Sequence, residues 1–250
     1  MIKPEKIIAV RTAKTVYRDG DKTIKVFNED YKLSDVLREA FNLSLVGETE
    51  LKVQKFIEVT QIEGKWALVN EYIEGHTLEY LMQKNPDKYD EYLNRFVDIQ
   101  LEMHKYTASG LYRLVDKMTR KITESGLDAT ARYELHTRLD SIDEHAKLCH
   151  GDFHPSNIII TADDEAYIID WSHATRGNAS ADAARTYLLF WLAGDIDGAE
   201  KYMKLFCKKS DTARQYVDKW LSIVSASRLV KAKPEEREFL LHWTNIADYE

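Results

Sequence analysis

The pattern of apolar and polar positions divides the chain into a strand-rich first part and a mainly helical second part. Before position 73, short runs rich in β-branched residues and bounded by turn residues predict five strands. One stretch with helical spacing, Asp35–Val46, predicts a helix among these strands. The predicted strands are Ile7–Val10, Thr15–Tyr17, Thr23–Phe27, Val53–Val59 and Trp66–Tyr72.

From residue 74 onward the apolar residues recur mostly with a helical period. The predicted helices include Tyr89–Tyr106, Leu111–Ile122, Leu127–His145, Ala183–Ala193, Ala199–Cys207, Thr212–Val230 and Pro234–Trp243. The pattern therefore predicts an α+β fold. Residues 1–73 form a small N-terminal β-sheet part with one helix, and residues 74–250 form a larger, mainly helical part.

A short hairpin is predicted inside the helical part. Ile158–Ile160 and Ala166–Ile169 are apolar runs of strand length, and the Asp-containing stretch Thr161–Glu165 between them is typical of a turn. A hairpin of this size returns Asn157, at the start of the first strand, to the neighbourhood of Asp170, at the end of the second.

The segment around this hairpin has the residue types and spacing of a kinase catalytic loop. Asp152 and Asn157 stand in the D-x-x-x-x-N spacing, and Asp170 follows after the hairpin. Phosphoryl transfer needs one carboxylate that accepts a hydroxyl proton and oxygen ligands that hold magnesium against the nucleotide phosphates. The combination of two carboxylates and an amide at these distances along the chain favours that chemistry.

The stretch His150–Asn157, followed by Ile168–Trp171, resembles the aminoglycoside phosphotransferase/choline kinase-like family of small-molecule kinases. The resemblance implies a protein-kinase-like fold of two lobes, with a small N-lobe and a larger helical C-lobe. It also implies that Asp152 is the catalytic base and that Asn157 and Asp170 are Mg²⁺ ligands.

The resembled kinases carry a lysine in the third strand and a glutamate in the following helix, and Lys25 and Glu39 are the matching residues. In such kinases the lysine binds the nucleotide phosphates and the glutamate fixes the lysine by an ion pair. The same resemblance places the edge of the adenine ring against the backbone of Glu71, Tyr72 and Ile73. It implies ATP or GTP, with Mg²⁺, as the cofactor.

Asp182 and Arg185 resemble the structural aspartate of this family and its neighbours on the same helix, and Asp182 is expected to brace the catalytic loop. One departure from the kinase pattern lies between the first two strands. The loop Arg11–Lys14, which should cover the nucleotide, contains no glycine. Close approach of backbone amides to phosphate is less favourable there, although Thr12 or Lys14 could assist.

The composition limits the kinds of partner that this chain is expected to bind. A formal net charge of −7 argues against general nucleic-acid binding and is compatible with a cationic substrate. No apolar run approaches the roughly 20 residues of a membrane helix, so no membrane partner is predicted. Two cysteines and the lack of an apolar signal segment at Met1–Pro4 predict a cytoplasmic protein. Nothing in the sequence specifies an oligomeric state.

The predicted function is therefore transfer of the γ-phosphoryl group of ATP or GTP to a hydroxyl of a small molecule, such as an aminoglycoside, a choline-like alcohol or a sugar. Two alternatives stay open. The glycine-free loop is compatible with a non-catalytic nucleotide- or small-molecule-binding protein of the same fold. The alternating residues His150, Asp152 and His154 would face one side of an extended segment, which is compatible with a metal-dependent hydrolase.

Overall fold

The computed structural model describes residues 6–244, and the chain divides into two compact units. Of the described residues, the first unit contains residues 6–85 together with Pro155–His173. The second unit contains Pro86–His154 together with residues 174–244. The predicted boundary between an N-lobe and a C-lobe at residue 73 stays a prediction, because a division into compact units does not test where one lobe ends and the next begins. Met1–Pro4, on which the signal-segment argument depends, lies outside the described residues.

The elements of the described chain are numbered in chain order. The strands are β1 (Lys6–Val10), β2 (Lys14–Asp19), β3 (Lys22–Phe27), β4 (Phe56–Ile62), β5 (Lys65–Glu71), β6 (His76–Thr77), β7 (Lys147–Cys149), β8 (Ile158–Ile160), β9 (Ala166–Ile168) and β10 (Thr175–Gly177). The helices are α1 (Leu33–Val46), α2 (Leu78–Lys84), α3 (Tyr89–Met103), α4 (Leu114–Thr123), α5 (Ala129–Asp140), α6 (Ala179–Leu192), α7 (Ile196–Ser210), α8 (Arg214–Leu229) and α9 (Pro234–Thr244).

The first unit is built on a five-stranded antiparallel sheet with the strand order β1-β2-β3-β5-β4. Its hairpins are closed by tight turns. Between β4 and β5, Glu63 and Gly64 both have positive φ angles, 51° and 78°. This is the conformation of a type I′ turn, whose twist matches that of the flanking strands. The turn fixes the register in which Ile62 lies opposite Lys65.

Helix α1 packs against one face of this sheet, where Val36 and Ala40 cluster with Phe27 and Leu68. Lys25 lies directly opposite Leu68 in the pairing of β3 with β5. Directly paired residues project to the same side of a sheet, so Lys25 lies on the helix-covered face. The other face carries a separate apolar cluster made of Ile24, Ala67 and Val69.

A smaller sheet in the same unit carries the predicted hairpin. Its strand order is β6-β8-β9, and Ile158 lies opposite Ile168. The Thr161 N–H donates to the carbonyl of Glu165 at 3.0 Å and closes the turn between β8 and β9. The prediction of a hairpin after the catalytic loop is confirmed.

The second unit is mainly helical, with α3–α9 and the short antiparallel pair β7–β10. Aromatic rings form part of its core. The ring of Phe96 lies 4.7 Å from that of Phe153 and contacts Phe190 and Tyr202 edge-on, each at 5.8 Å. Because Phe153 directly follows Asp152, the predicted catalytic loop is anchored in this core.

The predicted α+β class, with an N-terminal antiparallel sheet and a larger helical part, is confirmed. Several element boundaries differ from the prediction, among them those of β4 and α5. Strand β4 begins at Phe56, because Val53 instead forms an isolated parallel bridge with Ile168. Helix α5 ends at Asp140, and in the loop that follows Glu144 is ion-paired to Arg113 at 2.6 Å. Within residues 6–244, none of the helices combines the length and apolar character needed to cross a membrane.

Candidate active site

Lys25 and Glu39 form a buried ion pair inside the first unit. The Lys25 Nζ donates to Glu39 Oε1 at 2.5 Å, and the two side chains are 7% and 2% exposed. Burial lowers the pKa of Lys25, but the charges of Asp170 and Glu39 and the hydrogen bonds to them outweigh burial and raise it above its ordinary value. The lysine is therefore positively charged and held at a fixed position.

Asp170 directly contacts this pair, with its Oδ1 3.4 Å from the Lys25 Nζ. Asp170 follows β9 and has a φ of +66°, a left-handed conformation that Asp adopts more readily than most residues. Two hydrogen bonds shape the turn that begins at Asp170. The Asn42 Nδ2 donates to the Trp171 carbonyl at 3.0 Å, and the Trp171 indole N–H donates to the Ile168 carbonyl at 3.0 Å.

Asn157 lies at the other end of the hairpin, at the last residue of a short 3₁₀ turn before β8. It is buried, and its carbonyl accepts the Ile169 N–H at 2.9 Å. Since Ile169 precedes Asp170, this bond joins the backbone at Asn157 to the backbone beside Asp170. Carboxylate and amide oxygens are ligands that Mg²⁺ prefers. The residues at the two ends of the hairpin therefore fit the chemistry of a magnesium site.

Lys14, at the start of β2, is a further cation at this place. Its Nζ lies 3.0 Å from Asp170 Oδ2 and 3.9 Å from Glu39 Oε2. Sequence reasoning named Lys14 only as a residue that could assist phosphate binding, because the loop Arg11–Lys14 lacks the glycines of a phosphate-binding motif. The alternation along β2 was the available signal, since it directs residues 14 and 16 to the side of the sheet that carries Lys25.

Some backbone groups of the predicted adenine-binding segment, residues 71–73, already form hydrogen bonds within the protein. The Glu71 N–H donates to the Lys55 carbonyl at 2.9 Å, and the Glu71 carbonyl accepts from the Gln54 side chain at 2.9 Å. The Tyr72 N–H donates to the Asp21 carbonyl at 2.7 Å. The predicted contact with an adenine edge therefore depends on the carbonyl oxygens of Glu71 and Tyr72, each of which can accept two hydrogen bonds, and on the backbone of Ile73.

The catalytic-loop backbone is fixed within the second unit. Gly151 has a φ of +78°, which glycine adopts without strain. The N–H groups of His150 and Gly151 donate to the Asp182 carboxylate at 3.2 and 2.6 Å, and the Asp152 N–H donates to His150 Nδ1 at 3.2 Å. The expectation that Asp182 braces this loop thus agrees with its hydrogen bonds.

The side chain of Asp152, in the same unit, lies between two basic groups. Its Oδ1 is 3.4 Å from Arg185 Nη2, and its Oδ2 is 3.4 Å from His154 Nε2. Sequence reasoning gave Arg185 no role of its own. The signal was its position three residues after Asp182, which places both residues on one face of helix α6.

Asp182, which is buried, and Lys117, which is partly buried, carry further charge near this loop. His104 contacts Asp182 at 3.2 Å. Burial raises the pKa of Asp182, but the interactions with His104, His150 and the Gly151 N–H outweigh burial and lower it. Burial and the charge of Arg185 lower the pKa of Lys117 to about 8, against the opposing effect of Asp182 and Asp152. Arg185 and Lys117 are therefore matched in this unit by the carboxylates of Asp152 and Asp182.

The metal-hydrolase alternative required His150, Asp152 and His154 to converge on one ion. Across residues 6–244, no group of three or more His, Cys, Asp or Glu side chains is arranged to hold a metal. His150 instead accepts the Asp152 N–H through Nδ1. The arrangement gives the hydrolase alternative no support.

A family model described as the phosphotransferase enzyme family matches residues 10–216, most of the chain. The chain belongs to the phosphotransferase enzyme family. The family that the sequence resembles and the enzyme class predicted from it, a small-molecule kinase, are confirmed, and the non-catalytic alternative is set aside. Among curated proteins, no sequence match was found for this phosphotransferase.

Solved structures of similar fold cover nearly the whole chain. A thermostable mutant of aminoglycoside phosphotransferase APH(4)-Ia, in ternary complex with AMP-PNP and hygromycin B, matches with a TM-score of 0.71 and 13% identity, over 96% of this chain and 91% of its own. Choline kinase LicA from Streptococcus pneumoniae matches with a TM-score of 0.62 and 16% identity, over 97% and 93%. ADP-bound aminoglycoside phosphotransferase APH(2'')-Ib matches with a TM-score of 0.63 and 16% identity, over 97% and 92%. At these identities the likeness concerns the fold.

Proposed function

We propose that this phosphotransferase moves the γ-phosphoryl group of ATP or GTP to a hydroxyl of a small molecule, with Mg²⁺ as cofactor. The observation that carries the proposal is the buried Lys25–Glu39 ion pair in direct contact with Asp170. A buried ion pair is costly to assemble unless its geometry and hydrogen bonds are good. An ammonium fixed beside a carboxylate is the arrangement that binds a magnesium-nucleotide in kinases.

The first unit binds the nucleotide in this proposal. Lys25, positioned by Glu39, binds the phosphates, and Asn157 and Asp170 hold the metal. Bound Mg²⁺ supplies neutralisation of the charge that develops on the transferred group. The carbonyl oxygens of Glu71 and Tyr72 and the backbone of Ile73 bind the base. Similar folds solved with AMP-PNP and with ADP support nucleotide use.

Asp152 is the proposed base of the second unit. The hydroxyl oxygen of the acceptor attacks the γ-phosphorus, the bond to the bridging oxygen of the leaving diphosphate breaks, and the hydroxyl proton passes to the Asp152 carboxylate. The hydrogen bonds of the loop to Asp182 and the Arg185 contact orient Asp152 before the reaction. Catalysis then consists mainly of positioning and charge neutralisation.

The acceptor is a small hydroxyl compound of the class to which aminoglycosides, choline-like alcohols and sugars belong. Hygromycin B in a similar structure and the choline kinase fold support this range. The cationic acceptor favoured by the net charge stays a prediction. Arg185 and Lys117 lie near Asp152 in its own unit, but Asp152 and Asp182 balance their charge, so these residues favour no particular charge on the acceptor. We also retain a cytoplasmic location as a prediction.

The experiment is a coupled assay of nucleotide turnover with Mg²⁺. ATP and GTP are each tested against aminoglycosides, choline, neutral sugars and hydroxy acids. We expect one acceptor class to stimulate turnover and Asp152→Asn to lower that rate by about 10²- to 10⁴-fold, the usual effect of losing a general base. Asp98→Asn, an exposed carboxylate on helix α3, serves as the matched control. Wild-type turnover in Asp152→Asn would refute the role of Asp152.

A further inference from the structure

A second lysine lies at the proposed phosphate site, and no motif predicts it. Lys14 is the first residue of β2, directly after the glycine-free residues Arg11–Ala13. Its Nζ donates to both carboxylate oxygens of Asp170, at 3.0 and 3.3 Å, and lies 3.9 Å from Glu39. Lys14 and Lys25 therefore share the same two acidic partners.

The strand register explains why the two lysines converge. In the pairing of β2 with β3, Lys14 lies opposite Phe27 and Val16 lies opposite Lys25. Alternate residues of a strand share a face, so Lys14 and Lys25 are diagonal neighbours on one face of the sheet. The Lys14 Nζ also lies 5.8 Å from the centre of the Phe27 ring.

The two lysines differ in how firmly they are held. Lys25 is 7% exposed and has a 2.5 Å hydrogen bond to buried Glu39. Lys14 is 15% exposed, and its shortest contact is to Asp170, which is itself 26% exposed. Lys14 is thus the lysine that can exchange its partner when a ligand arrives, while Lys25 stays paired with Glu39.

Charge balance indicates what that ligand is. Two ammonium groups and two carboxylates form a set with no net charge. A divalent cation bound to Asp170 would replace the lysine ammonium as the partner of this carboxylate. The set then has an excess of positive charge, which favours the binding of a polyphosphate. The neighbouring loop, without glycines, is less favourable for backbone amides to approach phosphate.

We infer that Lys14 is a second phosphate-binding residue for the nucleotide, and that in the nucleotide-free protein its ammonium neutralises Asp170 in place of the metal. This inference rests on the proposed function. It assigns to a side chain the task that a glycine-rich loop performs with backbone amides. Lys14 is then displaced from Asp170 by the metal and binds the phosphates that arrive with it.

The first test is titration calorimetry with ADP and GDP, each with Mg²⁺, and with adenosine and guanosine. We expect Lys14→Met to weaken binding of the diphosphate by about 10- to 100-fold, the effect of one hydrogen bond to a charged group. The matching nucleoside should bind as it does to the wild type. Lys14→Arg should restore most of the diphosphate affinity. Lys65→Met is the control, because Lys65 is 40% exposed and its Nζ lies 3.6 Å from Glu29 Oε1.

The second test uses Mn²⁺ alone, followed by electron paramagnetic resonance. In nucleotide-free protein, Lys14→Met should bind Mn²⁺ about 3- to 10-fold more tightly, because a cation 3.0 Å from Asp170 is removed. If Lys14 only supported the fold, Lys14→Met would weaken the binding of both Mn²⁺ and the diphosphate, or of neither. Opposite changes in Mn²⁺ and diphosphate affinity therefore support the inference.

The variant Lys25→Met separates a failure of the inference about Lys14 from a failure of the proposed function. If Lys25→Met loses diphosphate affinity and Lys14→Met keeps it, the inference about Lys14 is overturned and the nucleotide site stands. If the wild type and all variants bind neither ADP nor GDP, the proposed function fails. Unchanged or weaker Mn²⁺ binding by Lys14→Met would overturn the role in neutralising Asp170.

Discussion

The Asn42 side chain donates to the carbonyl of Trp171 at 3.0 Å. Asn42 lies one helical turn after Glu39 on α1, so the same helix positions the partner of Lys25 and the turn that begins at Asp170. The lysine, its glutamate and the proposed metal ligand are therefore linked through one rigid element.

Replacing Asn42 tests this link. Asn42→Ala leaves a buried carbonyl without its donor, and we expect a loss of about 1–3 kcal/mol in the free energy of unfolding, measured by urea denaturation. Affinity for a magnesium-nucleotide should also fall, because the Asp170 turn loses its anchor. Asn94→Ala, at a partly exposed site on α3, should change neither quantity. Reduced stability with unaltered nucleotide affinity would show that the anchor has no bearing on the site.

Asp182 is expected to act through the catalytic loop. Asp182→Asn weakens two hydrogen bonds to the backbone at His150 and Gly151, and turnover should fall by about 10- to 100-fold with nucleotide affinity preserved. In the Asp152→Asn background the same change should have little further effect on the rate, because the oriented group is already absent. Fully multiplicative losses in the double variant would contradict this positioning role.

Arg185 is expected to orient Asp152. Arg185→Gln removes the contact at 3.4 Å, and we expect kcat to fall more than nucleotide affinity. If acceptor charge matters at this position, the variant should also lose most activity toward anionic hydroxyl compounds. Arg237→Gln, at an exposed position on α9, provides the comparison. An equal fall in activity toward neutral and anionic acceptors would restrict Arg185 to orientation.

Lys117 should make stability depend on pH. Its pKa is lowered from 10.5 to about 8 in the folded protein, so between these values the unfolded chain binds more protons at this site. The free energy of unfolding then rises with pH across this window, and the full shift corresponds to roughly 3 kcal/mol. Lys117→Met lacks this contribution.

The measurement is the difference in unfolding free energy between Lys117→Met and wild type at several values from pH 7 to pH 10. The variant should have its greatest relative stability at pH 7, and the difference should shrink steadily toward pH 10. A difference that stays constant over this range would show that Lys117 does not titrate there. The comparison cancels the other lysines and tyrosines that titrate in the same range.

The sequence predicts local relationships well in this chain. Periodicity and turn chemistry placed Lys25 on a strand, Glu39 on the next helix, and Asn157 and Asp170 at the ends of one short hairpin. The expectation that Lys25 and Glu39 form a pair came from the family resemblance. The contact of Lys14 with Asp170 joins positions 156 residues apart. A pattern confined to neighbouring residues carries no information about such a contact.

The boundary of β4 was wrong for a related reason. Val53 has the character of a strand residue, but its backbone pairs with Ile168, far along the chain, and the sheet strand begins only at Phe56. Arg185 was recognised only as a neighbour of Asp182, and its contact with Asp152 was not predicted, because the two residues lie 33 positions apart. Tertiary pairing decided these positions, whereas propensity described only the kind of local structure.

The left-handed backbone at Asp170 restricts which amino acids can occupy this position. Gly or Asn would accept a φ of +66° but lack the negative charge, while Glu would keep the charge and adopt this backbone less readily. Backbone preference and charge therefore select the same side chain independently. In a saturation library screened for phosphoryl transfer, codon 170 should tolerate no replacement, even in clones that still express folded protein.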